Sequence, residues 1–406
     1  MTITPSGIAA SGGPGASATS VRKVALTGPS ALQPFPGTPA YVGEGVWHPA
    51  GRLVDGKAAV YETLLVPPGG TKRAGIAWMN TNLLSARLYS GSLSPGGGPF
   101  KYTAPVSPTA ASILVAAFNG GFKMADAHGG YYTEGRIISP LVNGAASLVI
   151  YANGSITVGT WGSDLTMTPS VVAVRQNLFP LVVDGMATAR ATTRTWRVWG
   201  GTCPCGAKLH GVEHQWRSGL GVTANGFLVY VAGPELDPLQ VAQLLVAAGV
   251  VRGMQLDINP TWPVFASFKP ATAGGLAAPS NGTRLIDTSR GPRTFFDPAY
   301  ARDFITMSAR VLPMSSGLRT VVDHPADPVA VEGDPPVRAP RHVGHRGSFR
   351  AAFGQAAVQA IGLFPAVCLQ AERRVVADAG LLSQRREHVR GHEHMAGHDR
   401  QFGVHD

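Results

Sequence analysis

The sequence predicts an α+β fold: a central mixed, largely antiparallel β-sheet with hairpins and a few flanking helices. Three observations point there. Asn153-Gly154 and Asn225-Gly226 each divide two short apolar runs. This is the strongest short signal for a hairpin, because both central residues must take positive φ. Further short runs rich in β-branched residues stand between Gly, Pro and Asn clusters, as strands do. One helix is punctuated at both ends, by Asp237-Pro238 before it and Gly249 after it.

Taken in order, residues 1–40 are rich in Ser, Gly, Ala and Thr and read as a disordered leader. They lack the charged start and apolar centre of a signal peptide. No apolar run approaches the ~20 residues that span a bilayer. Residues 41–310 read as the folded domain. Strands are expected at 58–66, closed by Pro67-Pro68-Gly69-Gly70, at 75–84 and at 112–118. The two hairpins pair 147–151 with 155–161 and 220–223 with 227–231. Between them, Leu178–Val183 is a buried run ending at Asp184-Gly185, and 196–219 is an irregular insertion. Leu239, Leu244, Leu245 and Ala248 recur at helical spacing, so a helix over about 238–248 feeds a strand that ends at Asp257. Asp297 is expected to cap a last helix, with Tyr300, Phe304, Ile305 and Met307 as its apolar positions.

Residues 311–406 differ in character. They hold no lysine, 11 arginines and eight of the 12 histidines. This low-pattern tail reads as disordered or as an out-of-frame translation. The spacing of His388, His392, His394 and His398 suits a metal on a helix, but adventitious binding or no role is the expectation.

Composition excludes some classes. Charged residues are only 14% while Gly 51 and Pro 32 are abundant, which suits a loop-rich β or α/β protein and not a coiled coil. The net charge is +10, carried by the body: 23 Lys+Arg against 14 Asp+Glu up to Arg310. A basic body attracts phosphate-bearing partners and anionic surfaces. No nucleic-acid partner is expected, since no dense basic cluster with interleaved aromatics occurs. Three cysteines make no disulfide framework, and Cys203 and Cys205 have no second pair with which to form a zinc site. No metal site and no cofactor are expected; assistance by a divalent cation is left open.

Asp257 is the leading chemical candidate, because ligands gather outside the carboxyl ends of strands in α/β sheets. Asp184 is a second acid after a buried run. Asn119 ends another strand, and Gly120-Gly121 after it permit a tight turn or close backbone approach to a ligand. Glu134 is a reserve acid. Lys123 is a cation that could help to hold an anion.

Asn119-Gly120-Gly121-Phe122, Asp184-Gly185, Arg217-Ser218 with Gly221, and Leu256-Asp257 form an ordered series. In that order and spacing the chain resembles the phosphodiester glycosidase family, over roughly residues 45–310. The family includes N-acetylglucosamine-1-phosphodiester α-N-acetylglucosaminidases. Two departures stand out. Lys123 replaces the last aromatic of the first motif, and Ile258-Asn259-Pro260-Thr261-Trp262 replaces a glycine/serine loop. Such a loop offers backbone N–H groups to an anion, whereas Pro260 has none.

The resemblance implies hydrolysis of a sugar-1-phosphodiester at its glycosidic bond and an extracytoplasmic site. The alternative is a catalytically weakened relative that binds envelope polysaccharide. On this reading Asp257 is base, nucleophile or electrostatic stabiliser, Asp184 the second acid and Arg217 the phosphate clamp. Asn119, Gly120, Gly121, Ser218 and Asn259 line the substrate site. The partner is a sugar phosphodiester or envelope glycan, and the oligomeric state is left open.

Overall fold

The computed structural model describes residues 28–192, 196–200, 214–258 and 260–310. All of them belong to one compact unit, Met1–Arg319. The calls on Cys203, Cys205, His210, Asn259 and the whole 311–406 tail fall outside the described residues.

The chain opens with strands β1 (His48–Val54), β2 (Lys57–Leu65), β3 (Ala74–Met79) and β4 (Leu84–Tyr89). A helical turn α1 (Pro108–Ala111) leads into β5 (Leu114–Asn119), and α2 (Met124–Ala127) follows. Next come β6 (Tyr131–Thr133), β7 (Arg136–Ser139), β8 (Ala146–Tyr151), β9 (Ile156–Thr160) and β10 (Val171–Gln176). After β11 (Pro180–Val183), β12 (Met186–Ala187) and α3 (Ala189–Thr192), the long hairpin is β13 (Gln215–Thr223) and β14 (Leu228–Leu236). Then α4 (Pro238–Ala247) feeds β15 (Val250–Ile258), and β16 (Phe265–Phe268), β17 (Gly282–Arg284) and β18 (Phe304–Ala309) finish the domain.

These strands make three sheets. The largest has eight strands in the order β1-β2-β3-β14-β13-β15-β11-β12, and two five-stranded sheets run β17-β16-β5-β18-β4 and β7-β6-β10-β8-β9. Every pairing between these named strands is antiparallel. The fold is therefore mainly β with a few helices, a correction to the α+β expectation of a mixed sheet. The physical reason is the connections: strands adjacent in sequence make seven of these fifteen pairings, and antiparallel strands need no helical crossover.

One core lies where the sheets meet. Met79, Leu220, Tyr230 and Leu256 of the large sheet face Phe118, Phe265 and Ile305 of the second and Leu148 and Ile150 of the third. The other face of the large sheet is covered by α4. Val241, Leu244 and Leu245 are wholly buried there, each leucine contributing about 1.5–3 kcal/mol. The helix starts as expected. The Asp237 carboxylate accepts from the Gln240 N–H at 2.7 Å, and the Gln240 side chain accepts from the Asp237 N–H at 3.0 Å.

Two expectations fail. The last helix is a strand: after a 3₁₀ turn at Pro292–Phe296, β18 pairs with both β5 and β4. Phe304, Ile305, Thr306 and Met307 are all buried, as in a strand covered on both faces, where helical spacing and a continuous apolar run cannot be told apart. Order also begins before residue 41. Leu32 donates its N–H to Gly45 O at 2.9 Å, and Leu32 and Phe35 pack on the α4 side of the core. No helix among the described residues is long and apolar enough to cross a membrane.

Candidate functional site

A β-bulge sets the position of Asp257. From Arg217 to Gly219, β13 advances two positions, while β15 advances three from Gln255 to Ile258. The extra residue falls at Leu256-Asp257, and such bulges re-aim side chains. Side chains bond its main-chain groups. Asn177 Nδ2 donates to Gln255 O at 2.9 Å and to Leu256 O at 2.8 Å. Ser218 Oγ accepts from the Asp257 N–H at 3.1 Å.

Asp257 is 4% exposed. Its Oδ2 takes a hydrogen bond from Arg302 Nη2 at 2.7 Å, and its Oδ1 one from the Ile258 N–H at 2.8 Å. Burial pushes this carboxyl up to about 7; Arg302 and the Ile258 N–H pull it back, while the nearby Asp303 adds to the rise. The cost of desolvating the charge outweighs its ion pair.

Asp303, next in sequence to Arg302, pairs elsewhere. Its Oδ2 accepts from Arg175 Nε at 2.8 Å and its Oδ1 from Ser94 Oγ at 2.8 Å. Two buried Arg–Asp pairs thus flank the turn after β5. Arg302 Nη2 also donates to Gly121 O at 2.8 Å, and Arg175 Nη2 donates to Phe122 O.

This explains the glycines differently from the sequence reading. A Cβ on Gly120 would lie 2.0 Å from Asp303 Oδ2, and one on Gly121 2.6 Å from Asn177 Oδ1. The close approach they permit is to these side chains of the protein itself. Asn119 is likewise engaged inside the fold. Its Oδ1 accepts from Tyr230 OH at 2.7 Å and the Val264 N–H at 3.0 Å, and its Nδ2 donates to Gly120 O at 2.7 Å and Ser218 Oγ at 3.2 Å.

The structure brings Asn119, Gly120, Gly121, Ser218 and Asp257 together, whereas Arg217 and Asp184 are engaged differently. Arg217 is wholly buried. Its guanidinium donates to Leu236 O at 2.8 Å, Trp199 O at 3.1 Å and Gln255 Oε1 at 2.9 Å. Those bonds tie the β13–β14 pair to β15 and use it as a structural cation, in place of the expected phosphate clamp. Asp184 sits exposed, at φ 50°, in the turn between β11 and β12. Its neighbour Gly185 donates to Val251 O, six residues before Asp257 and roughly 20 Å along β15. That separation removes Asp184 from the chemistry of Asp257.

Glu134 accepts from the Lys101 and Tyr102 N–H groups at 3.0 Å each, a structural use. Lys123 is exposed at the start of α2. His214 lies with its Nε2 3.6 Å from Asp237 Oδ2. Among the described residues no group of three or more His, Cys, Asp and Glu is arranged to hold a metal ion.

Sequence reasoning missed Arg302, Asp303, Arg175 and Asn177. The only local signal is Arg-Asp directly before a buried apolar run. The partners lie 45 and 128 positions away in sequence, so only the sheet pairing reveals them.

Aromatic rings stand beside Arg302. The Arg302 guanidinium lies 4.6 Å from the Trp262 ring centroid, and Arg290 lies 4.6 Å from the same ring and 5.5 Å from Tyr300. Burial raises the Tyr300 hydroxyl well above its ordinary range. Cavities of about 550, 280 and 610 Å³ lie elsewhere on the domain, and none is lined by Asp257.

No family model matches the chain, and no curated protein matches it. Solved structures show a distant likeness. The catalytic domain of zebrafish N-acetylglucosamine-1-phosphodiester alpha-N-acetylglucosaminidase, auto-inhibited by its pro-peptide, is 15% identical, with 64% of this chain and 87% of that chain covered and a TM-score of 0.40. A hypothetical protein from Synechocystis is 13% identical, with 63% of each chain covered and a TM-score of 0.35. Likeness at this level carries no argument about what the chain does.

Proposed function

We propose that the chain is a hydrolase of the phosphodiester glycosidase type, cleaving the glycosidic bond of a sugar-1-phosphodiester in an envelope glycan or related molecule. The observation that carries this reading is the buried Asp257 carboxyl, held up to about 7 at a strand-end bulge in contact with Arg302. The order of motifs in the sequence supplies the substrate class.

A carboxyl that titrates near neutrality exchanges a proton readily at working pH. Glycoside hydrolysis uses carboxyl groups around an oxocarbenium-like transition state. Asp257 as base or nucleophile suits a phosphate leaving group, which departs with little help from an acid. Arg302 orients Asp257 and favours its charged form against the effect of burial. Asp303, bound to Arg175 and Ser94, holds the turn and lifts the Asp257 proton affinity.

The test is release of free sugar from an α-N-acetylglucosaminyl phosphodiester by the full-length chain. Release that depends on Asp257 supports the reading. A second reading, a weakened relative that binds envelope polysaccharide, is favoured by the 4% exposure of Asp257 and by its existing ion pair. Glycan binding without sugar release across a panel of sugar-1-phosphodiesters would select it.

A further inference from the structure

We infer that Arg290, held on Trp262, is the anion-binding group of this site, taking the phosphate or a similar tetrahedral oxyanion beside Asp257. The inference rests on the hydrolase reading for the identity of the substrate, but the anion site itself stands on geometry.

The other arginines placed around Asp257 are committed. Arg217 is committed to Leu236 O, Trp199 O and Gln255 Oε1. Arg175 is committed to Asp303. Arg302 shares its Nη2 between Asp257 and Gly121 O. Arg290 differs: it makes no ion pair among the described residues. Its Nε–H is buried and has no acceptor there, and the same holds for the Nε–H of Arg302. A buried donor without an acceptor costs about 1–3 kcal/mol, a cost that an oxyanion at this place offsets.

Position points the same way. Both guanidiniums lie 4.6 Å from the Trp262 ring centroid, so one indole couples Arg290 to the residue that grips Asp257. The loop is anchored to the segment that follows Asp257. Ser289 Oγ donates to Pro260 O at 2.6 Å, and its N–H donates to the same oxygen at 3.3 Å. Thr288 Oγ1 donates to Arg290 O at 2.6 Å and fixes the Arg290 main chain. A guanidinium stacked on an aromatic ring keeps its planar fork ready for two oxygens of a phosphate.

The test uses the full-length chain with inorganic phosphate and a sugar-1-phosphate as probes, read by calorimetric titration. Wild type should bind both, and Arg290→Met should weaken binding at least about tenfold, the loss expected for a charge-assisted hydrogen bond, with the ligand-free melting temperature not lowered. Arg290→Lys keeps the charge without the fork and should fall between them. It also decides the matter should Arg290→Met fail to fold. Unchanged phosphate affinity in a folded Arg290 variant, or no phosphate binding by wild type, overturns the inference. The two proposals separate cleanly. Arg290-dependent phosphate binding without any sugar release refutes the hydrolase reading alone; sugar release with unchanged KM in Arg290→Met refutes the anion site alone.

Discussion

Arg302 Nη2 lies 2.7 Å from Asp257 Oδ2, and each side chain is 6% exposed. The pair joins the end of β15 to the second residue before β18. Without Arg302, Asp257 loses the neighbour that most lowers its carboxyl and must hold its proton or stand as an unpaired buried charge. Arg302→Met should therefore destabilise the protein by about 3–5 kcal/mol, read by urea denaturation. Adding Asp257→Asn to that variant should recover part of the loss, since no unpaired charge then remains.

Stability should fall as pH rises from about 4 to 7. Burial raises two carboxyls, Asp257 and Glu62, each up to about 7. A raised carboxyl pKa means that the folded state holds a proton the unfolded chain has already lost. The stabilisation is complete below the unfolded value and vanishes as pH climbs through the folded one, by up to about 1.4 kcal/mol per pH unit per group. Asp257→Asn and Glu62→Gln should each flatten the pH dependence of the melting temperature in that window. An unaltered slope in both variants would contradict the assignment.

Two glycines should respond differently to alanine. Gly120→Ala places a Cβ 2.0 Å from Asp303 Oδ2, in a turn crossed by two ion pairs, so it should cost at least about 3 kcal/mol. Gly185→Ala meets nothing within 4 Å and is strained only by its φ of 74°. It should cost about 1 kcal/mol. Thermal denaturation of both checks the order.

Much of the fold was legible because its signals are local. Asn153-Gly154 and Asn225-Gly226 sit between β8 and β9 and between β13 and β14, and Asp237-Pro238 opens α4. Asp257 was legible as an acid ending a buried strand. What was not legible is long-range. The Arg-Asp pair at 302–303 says nothing of Asp257 and Arg175, and Phe304–Met307 reads equally as a helix face or a buried strand. Arg217 was assigned a ligand because its motif names a residue type; only the alternation of β13 shows its side chain leaving the face that carries Ser218. The glycines after Asn119 suggest a tight turn or close approach to a ligand, whereas the groups a Cβ there would meet are Asp303 and Asn177.

Asp184 provides a control. It is exposed at a hairpin turn, so Asp184→Asn should leave activity unchanged and shift stability by no more than about 0.5 kcal/mol, Asn being well suited to positive φ. A large loss of sugar release in this variant would restore the two-acid arrangement suggested by the sequence.

The most direct measurement is sugar release from an α-N-acetylglucosaminyl phosphodiester by full-length wild type, Asp257→Asn and Asp184→Asn, each verified as folded. The account predicts release by wild type and by Asp184→Asn, and a loss of at least about a hundredfold in Asp257→Asn. Equal release by wild type and a folded Asp257→Asn would contradict it.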